Sequence, residues 1–194
     1  MNQYIEITLL PNHDINLFSL WSKVFKQLHL AMVEIQDDHQ QVPVGVSFPE
    51  YVFGEQYCVL GSKCRLFATD QATLEQLNIS YWLSRLTDYV HITSIRPLPD
   101  KVLGHATYQR LQFKTNPERL ARRYARRHGV SYEQAFQRYQ SMAAVRITMP
   151  FIRLQSLSSE QSFCLWIKKT VSNEPLIGAF SSYGLSAKTT VPEF

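Results

Sequence analysis

The chain has 194 residues, 45% of them hydrophobic and 19% charged, enough to bury a real core and too apolar for a disordered segment. Its formal charge of +4 is unevenly spread: residues 101–130 hold eight Lys and Arg against one acid, Glu118, a local +7 that leaves the other 164 residues at −3. That pattern points to one basic binding surface and excludes a uniformly sticky protein.

Cys58, Cys64 and Cys164 are too few and too irregularly spaced for a disulfide framework or a Cys-rich zinc site. Free thiols in a reducing compartment are expected. Met1-Asn2-Gln3-Tyr4-Ile5-Glu6 lacks the basic and apolar regions of a signal peptide, and no apolar run approaches a membrane span. The expectation is a cytoplasmic protein without a membrane partner.

Residues 3–10 are rich in β-formers and end at Pro11-Asn12, so they read as a strand. From about Ile15 to Ile35 the spacing predicts a helix with Leu17, Trp21, Val24, Leu28, Ala31 and Ile35 on one stripe and Asp14 as N-cap. Short strands follow at 43–49 and at Lys63–Ala68, and Thr69 or Asp70 caps a helical stretch reaching Leu86 in pieces. Val90–Ile95 reads as a further strand. The order β-α-β-β-α-β is that of a ferredoxin-like fold, an α+β class with both helices on one face of the sheet. Pro97-Leu98-Pro99-Asp100 then marks a boundary, giving a ferredoxin-like domain over 1–97 and a C-terminal domain over 98–194 that carries the basic segment.

Beyond the boundary come a basic linker and a helix opened by Asn116-Pro117-Glu118, with Gly129 at its stop. It carries Arg119, Arg122, Arg123, Arg126 and Arg127, which at about 100° per residue cover an arc of roughly 140°. Leu120 and Tyr124 lie on the other side. A guanidinium stripe of this kind neutralises phosphates and can bond guanine edges. A merely solvated charged face would need carboxylates on the helix, and Glu118 is the only one available. A second helix is expected from Ser131 to about Tyr139. Two strands at about 148–155 and 163–169 form a small antiparallel sheet across a Ser-rich turn, and the tail after Phe180–Ser186 reads as a loose end.

Six histidines, at 13, 29, 39, 91, 105 and 128, form no HExxH motif and no Cys/His cluster, so neither metal nor cofactor is expected. The seven glycines build no phosphate loop, and Ser and Cys show no nucleophile elbow. His29 stands at the edge of the first helix's apolar stripe. It reads either as a core-edge residue or as a base able to take a proton from a 2′-hydroxyl at neutral pH. Ser156, Ser158, Ser159 and Ser162 could equally be ordinary turn residues, and Tyr183 before Gly184 a packed turn aromatic.

Leu28-His29, Gly45-Val46-Ser47-Phe48-Pro49, Asn116-Pro117-Glu118-Arg119-Leu120 with the arginine run, Pro150-Phe151, and Ser181-Ser182-Tyr183-Gly184-Leu185-Ser186 occur in that order. Together they resemble the CRISPR precursor-RNA endoribonucleases of type I-F systems, almost over the full length. The resemblance implies metal-independent cleavage at the 3′ base of a repeat stem-loop. It also implies retention of the guide RNA within a surveillance complex alongside other type I-F subunits. It makes His29 the catalytic histidine, Ser156 the holder of the attacking 2′-hydroxyl, and Tyr183 the residue that places the imidazole. Arg110 and Gln112 match linker residues that read bases near the foot of the stem, and Arg123 and Arg127 match arginines of the groove-inserted helix. Phe163 matches an aromatic stacked on the terminal base pair, although Phe163–Ile167 also reads as a buried strand. Ser158 matches a second serine near the cut. Two departures stand out, the acidic Glu160 in the serine turn and a long loop around 50–62. A non-cleaving hairpin-binding subunit is the alternative that the arginine helix fits equally well, and a basic DNA-binding protein is a third.

Overall fold

A computed structural model describes residues 1–113, 117–140, 148–156 and 160–194. Strand β1 (Gln3–Leu9) buries Ile5, Ile7 and Leu9 on alternate positions, the period-2 signature of a half-buried strand. Helix α1 (Leu17–Glu34) turns Leu20, Trp21, Val24, Phe25, Leu28, Ala31 and Met32 inward. Its cap is Asn16, whose side chain accepts from the Ser19 amide at 2.8 Å, and not the expected Asp14. Asp14 is occupied one step earlier, where its own amide donates to Asn12 Oδ1 in a local turn.

Next come β2 (Gln41–Val42), β3 (Gly45–Ser47), and a small hairpin of β4 (Val52–Phe53) and β5 (Cys58–Val59) within the long 50–62 loop. Strand β6 (Lys63–Ala68) leads to α2 (Gln71–Leu77), capped by Asp70 through the Thr73 amide at 2.9 Å. Asn78, at φ 44°, breaks the helical stretch before α3 (Ile79–Trp82) and a 3₁₀ turn at Ser84–Leu86. Strands β7 (Val90–Ile92) and β8 (Arg96–Pro97) follow. The first sheet is antiparallel in the order β3-β6-β1-β7, with β8 also paired to β1.

Residues 104–111, expected as part of a basic linker, are strand β9 (Gly104–Leu111), which buries Ala106 and Tyr108. The alternation there is carried by one small residue and one tyrosine, and the flanking cations mask it. Helices α4 (Pro117–His128) and α5 (Tyr132–Tyr139) follow, the latter capped by Ser131. Then come β10 (Phe151–Gln155), β11 (Ser162–Ser172), β12 (Phe180–Ser181) and β13 (Val191–Glu193). The tail is therefore no loose end: Val191 is buried and β13 pairs with β9. Pro192 is tolerated because β13 lies at the edge of the second sheet, ordered β10-β11-β9-β13.

The chain forms two compact units, Met1–Leu111 with Met149–Phe194, and Gln112–Thr148. The boundary read at 97/98 falls inside the first unit, because one core joins both sheets: Phe25, Phe48, Tyr108, Ile152, Ile167 and Val191 all belong to it. The Tyr108 hydroxyl lies 3.1 Å from the Phe48 carbonyl and 2.9 Å from Glu193 Oε1. Burial, and then the Glu193 carboxylate, push its ionisation far above the ordinary tyrosine range, so it stays a donor. The second unit leaves and re-enters the same sheet, since Leu111 and Phe151 both stand opposite Trp166, on either side of β11.

Candidate active site and candidate RNA interface

His29 lies near the end of α1 and is half-buried. Its Nδ1 is 2.7 Å from the Ser182 backbone carbonyl. A carbonyl only accepts, so Nδ1 carries the hydrogen. In the neutral ring this leaves Nε2 with its lone pair, the form needed to take up a proton. The imidazole also stacks on Tyr183, with ring centroids 4.1 Å apart and planes 8° from parallel. Two contacts, one polar and one aromatic, thus fix both the tautomer and the plane of the ring.

Both contacts come from a single turn. The Gly184 amide donates to the Ser181 carbonyl at 2.7 Å and closes it, and Ser181 Oγ donates to the Leu185 carbonyl at 2.9 Å. The Val46 amide of β3 donates to the Gly184 carbonyl, and the Ser186 amide to the Tyr108 carbonyl of β9, each at 2.9 Å. The turn is therefore tied to both sheets. Gly184 has φ +68°, and a Cβ there would run into the Val46 side chain and meet Met32 Cε at 2.9 Å. We expect Gly184→Ala to destabilise the fold by about 1–3 kcal/mol through backbone strain. It should also slow catalysis more than it weakens RNA binding, because the displaced turn carries Ser182 and Tyr183. A melting curve together with separate binding and single-turnover assays checks this. Unchanged turnover in a destabilised variant would mean that the turn only supports the fold.

Arg110 continues the stack from β9. Its guanidinium carbon is 5.2 Å from the Tyr183 ring centroid and 5.3 Å from that of Phe163, within cation–π range. Its Nε is buried and has no hydrogen-bond partner among the described residues, a donor left without an acceptor. Phe163 on β11 is half-buried and packs partly against the core, midway between the two roles that sequence allowed. His29, Tyr183, Arg110 and Phe163 thus form one continuous row.

Ser156 directly follows β10, the strand that packs against α1. Its amide donates to the Gln161 carbonyl at 2.9 Å, and Gln155 Nε2 donates to the Glu160 carbonyl at 3.1 Å. Glu160 itself has φ +54°. Ser158 lies outside the described residues, as does Asn116, the expected cap of the arginine helix.

In the second unit Arg119, Arg122, Arg123, Arg126 and Arg127 are all exposed on α4, whereas Ala121 is buried, as is Ala135 of α5. Tyr124 packs edge-on to Tyr139, with centroids 6.0 Å apart. Glu118 bonds Arg122 at 3.0 Å across one helical turn, an exposed pair of small energetic consequence. Gln112, exposed, begins this unit. Among the described residues no three or more His, Cys, Asp or Glu are grouped so as to hold a metal ion, and no helix is long and apolar enough to cross a membrane.

Sequence reasoning missed the Ser182 carbonyl. A backbone acceptor has no residue signature, and the one available signal was Gly184, which permits the turn that aims it.

These features define an antiparallel α/β protein with a tautomer-locked histidine and a separate arginine-faced helix, a class suited to gripping and acting on a polyanion. Residues 4–194 match the family described as CRISPR-associated protein (Cas_Csy4), and the chain belongs to that family. It is 36% identical over 195 residues to the CRISPR-associated endonuclease Cas6/Csy4 of Escherichia coli (strain UTI89 / UPEC), covering all of both chains. It is 34% identical over 197 residues, again with full coverage of both, to the protein of that name from Pseudomonas aeruginosa (strain UCBPP-PA14).

Proposed function

We propose that this chain is an endoribonuclease that cuts CRISPR repeat hairpins, works without a metal, and stays on the guide RNA it makes. The observation that carries this reading is the hydrogen bond from His29 Nδ1 to the Ser182 carbonyl, which reserves Nε2 for proton transfer. Family membership and two relatives named endonucleases support it. The N-terminal strands and helices form the ferredoxin-like part of the architecture, supported by the sheet order β3-β6-β1-β7.

In this reaction His29 Nε2 takes the proton of the 2′-hydroxyl next to the scissile phosphate, and Ser156 holds that hydroxyl. The O2′–P bond forms and the P–O5′ bond breaks, with the 5′-oxygen taking up a proton. The products are a 2′,3′-cyclic phosphate and a 5′-hydroxyl. Tyr183 keeps the imidazole in plane. Arg110 and Gln112 read bases at the foot of the stem, and Phe163 stacks on the terminal pair. Ser158 assists near the cut. Further subunits of a type I-F complex then assemble on the retained RNA in the cytoplasm.

Incubating the protein with a labelled repeat hairpin in EDTA tests this directly. One cut, with a cyclic-phosphate end, is expected. Cutting that appears only after a divalent cation is added would overturn the metal-free reading, and tight binding without any cut would leave a hairpin-capping subunit.

The arginine stripe makes a separate prediction. Arg123→Ala or Arg127→Ala should weaken hairpin binding and flatten its salt dependence, since each lost phosphate contact changes the log–log slope by roughly 0.7–0.9. Binding titrations at several salt concentrations measure it. An unchanged slope would return these residues to a solvated face.

A further inference from the structure

A second cationic feature lies away from the row of His29, Tyr183, Arg110 and Phe163. Lys23, Lys26 and Gln27 of α1 face Tyr81 and Trp82 of α3 and Arg85 of the following turn across an open cleft of about 610 Å³. No acid lines it, and among the described residues no carboxylate pairs with Lys23, Lys26 or Arg85. Three cations therefore line one cleft. Tyr81 is 69% exposed, which core packing does not explain. Trp82 is partly buried against the core, so its ring is held, and Tyr81 meets it edge-on at 6.0 Å.

Cations beside a held aromatic are what a single-stranded nucleic acid needs: charge for its phosphates and a platform for an unstacked base. A duplex would offer no free base to the aromatics. Lys26 precedes His29 by three residues, neighbours on one helix about 5 Å apart along its axis. A strand leaving the histidine site has about one helical turn to cover before it meets Lys26.

We propose that this cleft binds single-stranded RNA flanking the hairpin, a second RNA site beside the catalytic one; it rests on the endoribonuclease reading only for the identity of the RNA. The uncut substrate then touches the protein at the stem and at a flank.

The test measures binding by the full chain of a ten-nucleotide uridine oligomer, the bare hairpin, and hairpins extended on the 5′ or the 3′ side. All hairpins carry a 2′-deoxy residue at the cut so that they stay intact. The variants are Lys23→Gln/Arg85→Gln together, and Tyr81→Ala. We expect a flank on at least one side to tighten wild-type binding by about threefold or more, and the double variant to erase that gain. It should also lower the oligomer's salt slope by roughly 1.4, about 0.7 for each lost single-strand contact. Tyr81→Ala should weaken the oligomer about fivefold or more by removing a stacking surface. The bare hairpin should bind all proteins alike, and an all-ribose hairpin with a single nucleotide 3′ of the cut should be cut alike by all of them.

An equal loss for the bare hairpin would make the cleft part of the stem surface and overturn the proposal. So would oligomer and flanked-hairpin binding that the variants leave unchanged, or a polyglutamate peptide bound as tightly as the oligomer. If wild-type protein ignored the hairpin but lost oligomer binding in the variants, the cleft would stand and the endoribonuclease reading would fall.

Discussion

His29→Ala is expected to keep full hairpin affinity and to lose about 10²–10⁴-fold in the rate of cutting, the usual contribution of a positioned acid–base group. The imidazole is held by the protein's own turn, through the Ser182 carbonyl and the Tyr183 ring. Removing it deletes a proton acceptor without deleting a cationic grip on the RNA. His29→Gln sharpens the test. A glutamine can still donate a hydrogen bond toward the Ser182 carbonyl, yet it cannot take up a proton near neutrality. It should therefore be nearly as slow as the alanine variant while remaining as stable as wild type. Single-turnover rates with saturating protein separate chemistry from binding. A loss below about tenfold in both variants would return His29 to the edge of the core.

Replacing one 2′-hydroxyl by hydrogen at the cleavage position should abolish cutting and leave affinity unchanged. This follows from placing the nucleophile on the RNA itself: with no O2′, no cyclic phosphate can form. A hydrolase that activated water would cut the deoxy substrate at a normal rate, so the measurement divides the two mechanisms cleanly. The same substrate, uncut, also shows whether recognition depends on the hydroxyl. An affinity drop of more than a few-fold would mean that Ser156 contributes to holding the RNA before any reaction.

The first half of the fold was legible because its core residues are large and regularly spaced. Ile5, Ile7 and Leu9 on β1, and the stripe from Leu20 to Met32 on α1, each announce their period. Strand β9 was hidden because Ala106 and Tyr108 are its only fully buried residues and Arg110 beside them invites a charge-based reading. The end of the chain was hidden for another reason. Val191-Pro192-Glu193 is too short to show alternation, and its pairing with β9 depends on a partner some 85 residues earlier. Within the site, His29 and Tyr183 could be picked out as candidates, but not the tautomer. That choice is made by a backbone carbonyl whose direction depends on the turn geometry at Gly184. The same geometry brings two separated sequence pieces side by side. Gly45-Val46 and Ser181–Gly184 are two walls of one cradle, joined by the Val46 amide and the Gly184 carbonyl.

The way residues 112–148 attach to the rest has a bearing on how such a protein diversifies. Leu111, just before the unit, and Phe151, two residues after the chain returns at Met149, flank Trp166 on neighbouring strands of one sheet. Two strand spacings separate them, roughly 10 Å. A loop inserted between points so close costs little more when long than when short. Under the proposed function this unit is a cassette: it can be lengthened, recharged or exchanged for one fitted to another repeat, while the strands that hold the imidazole keep their register. Specificity can drift along the lineage without the chemistry having to be reinvented.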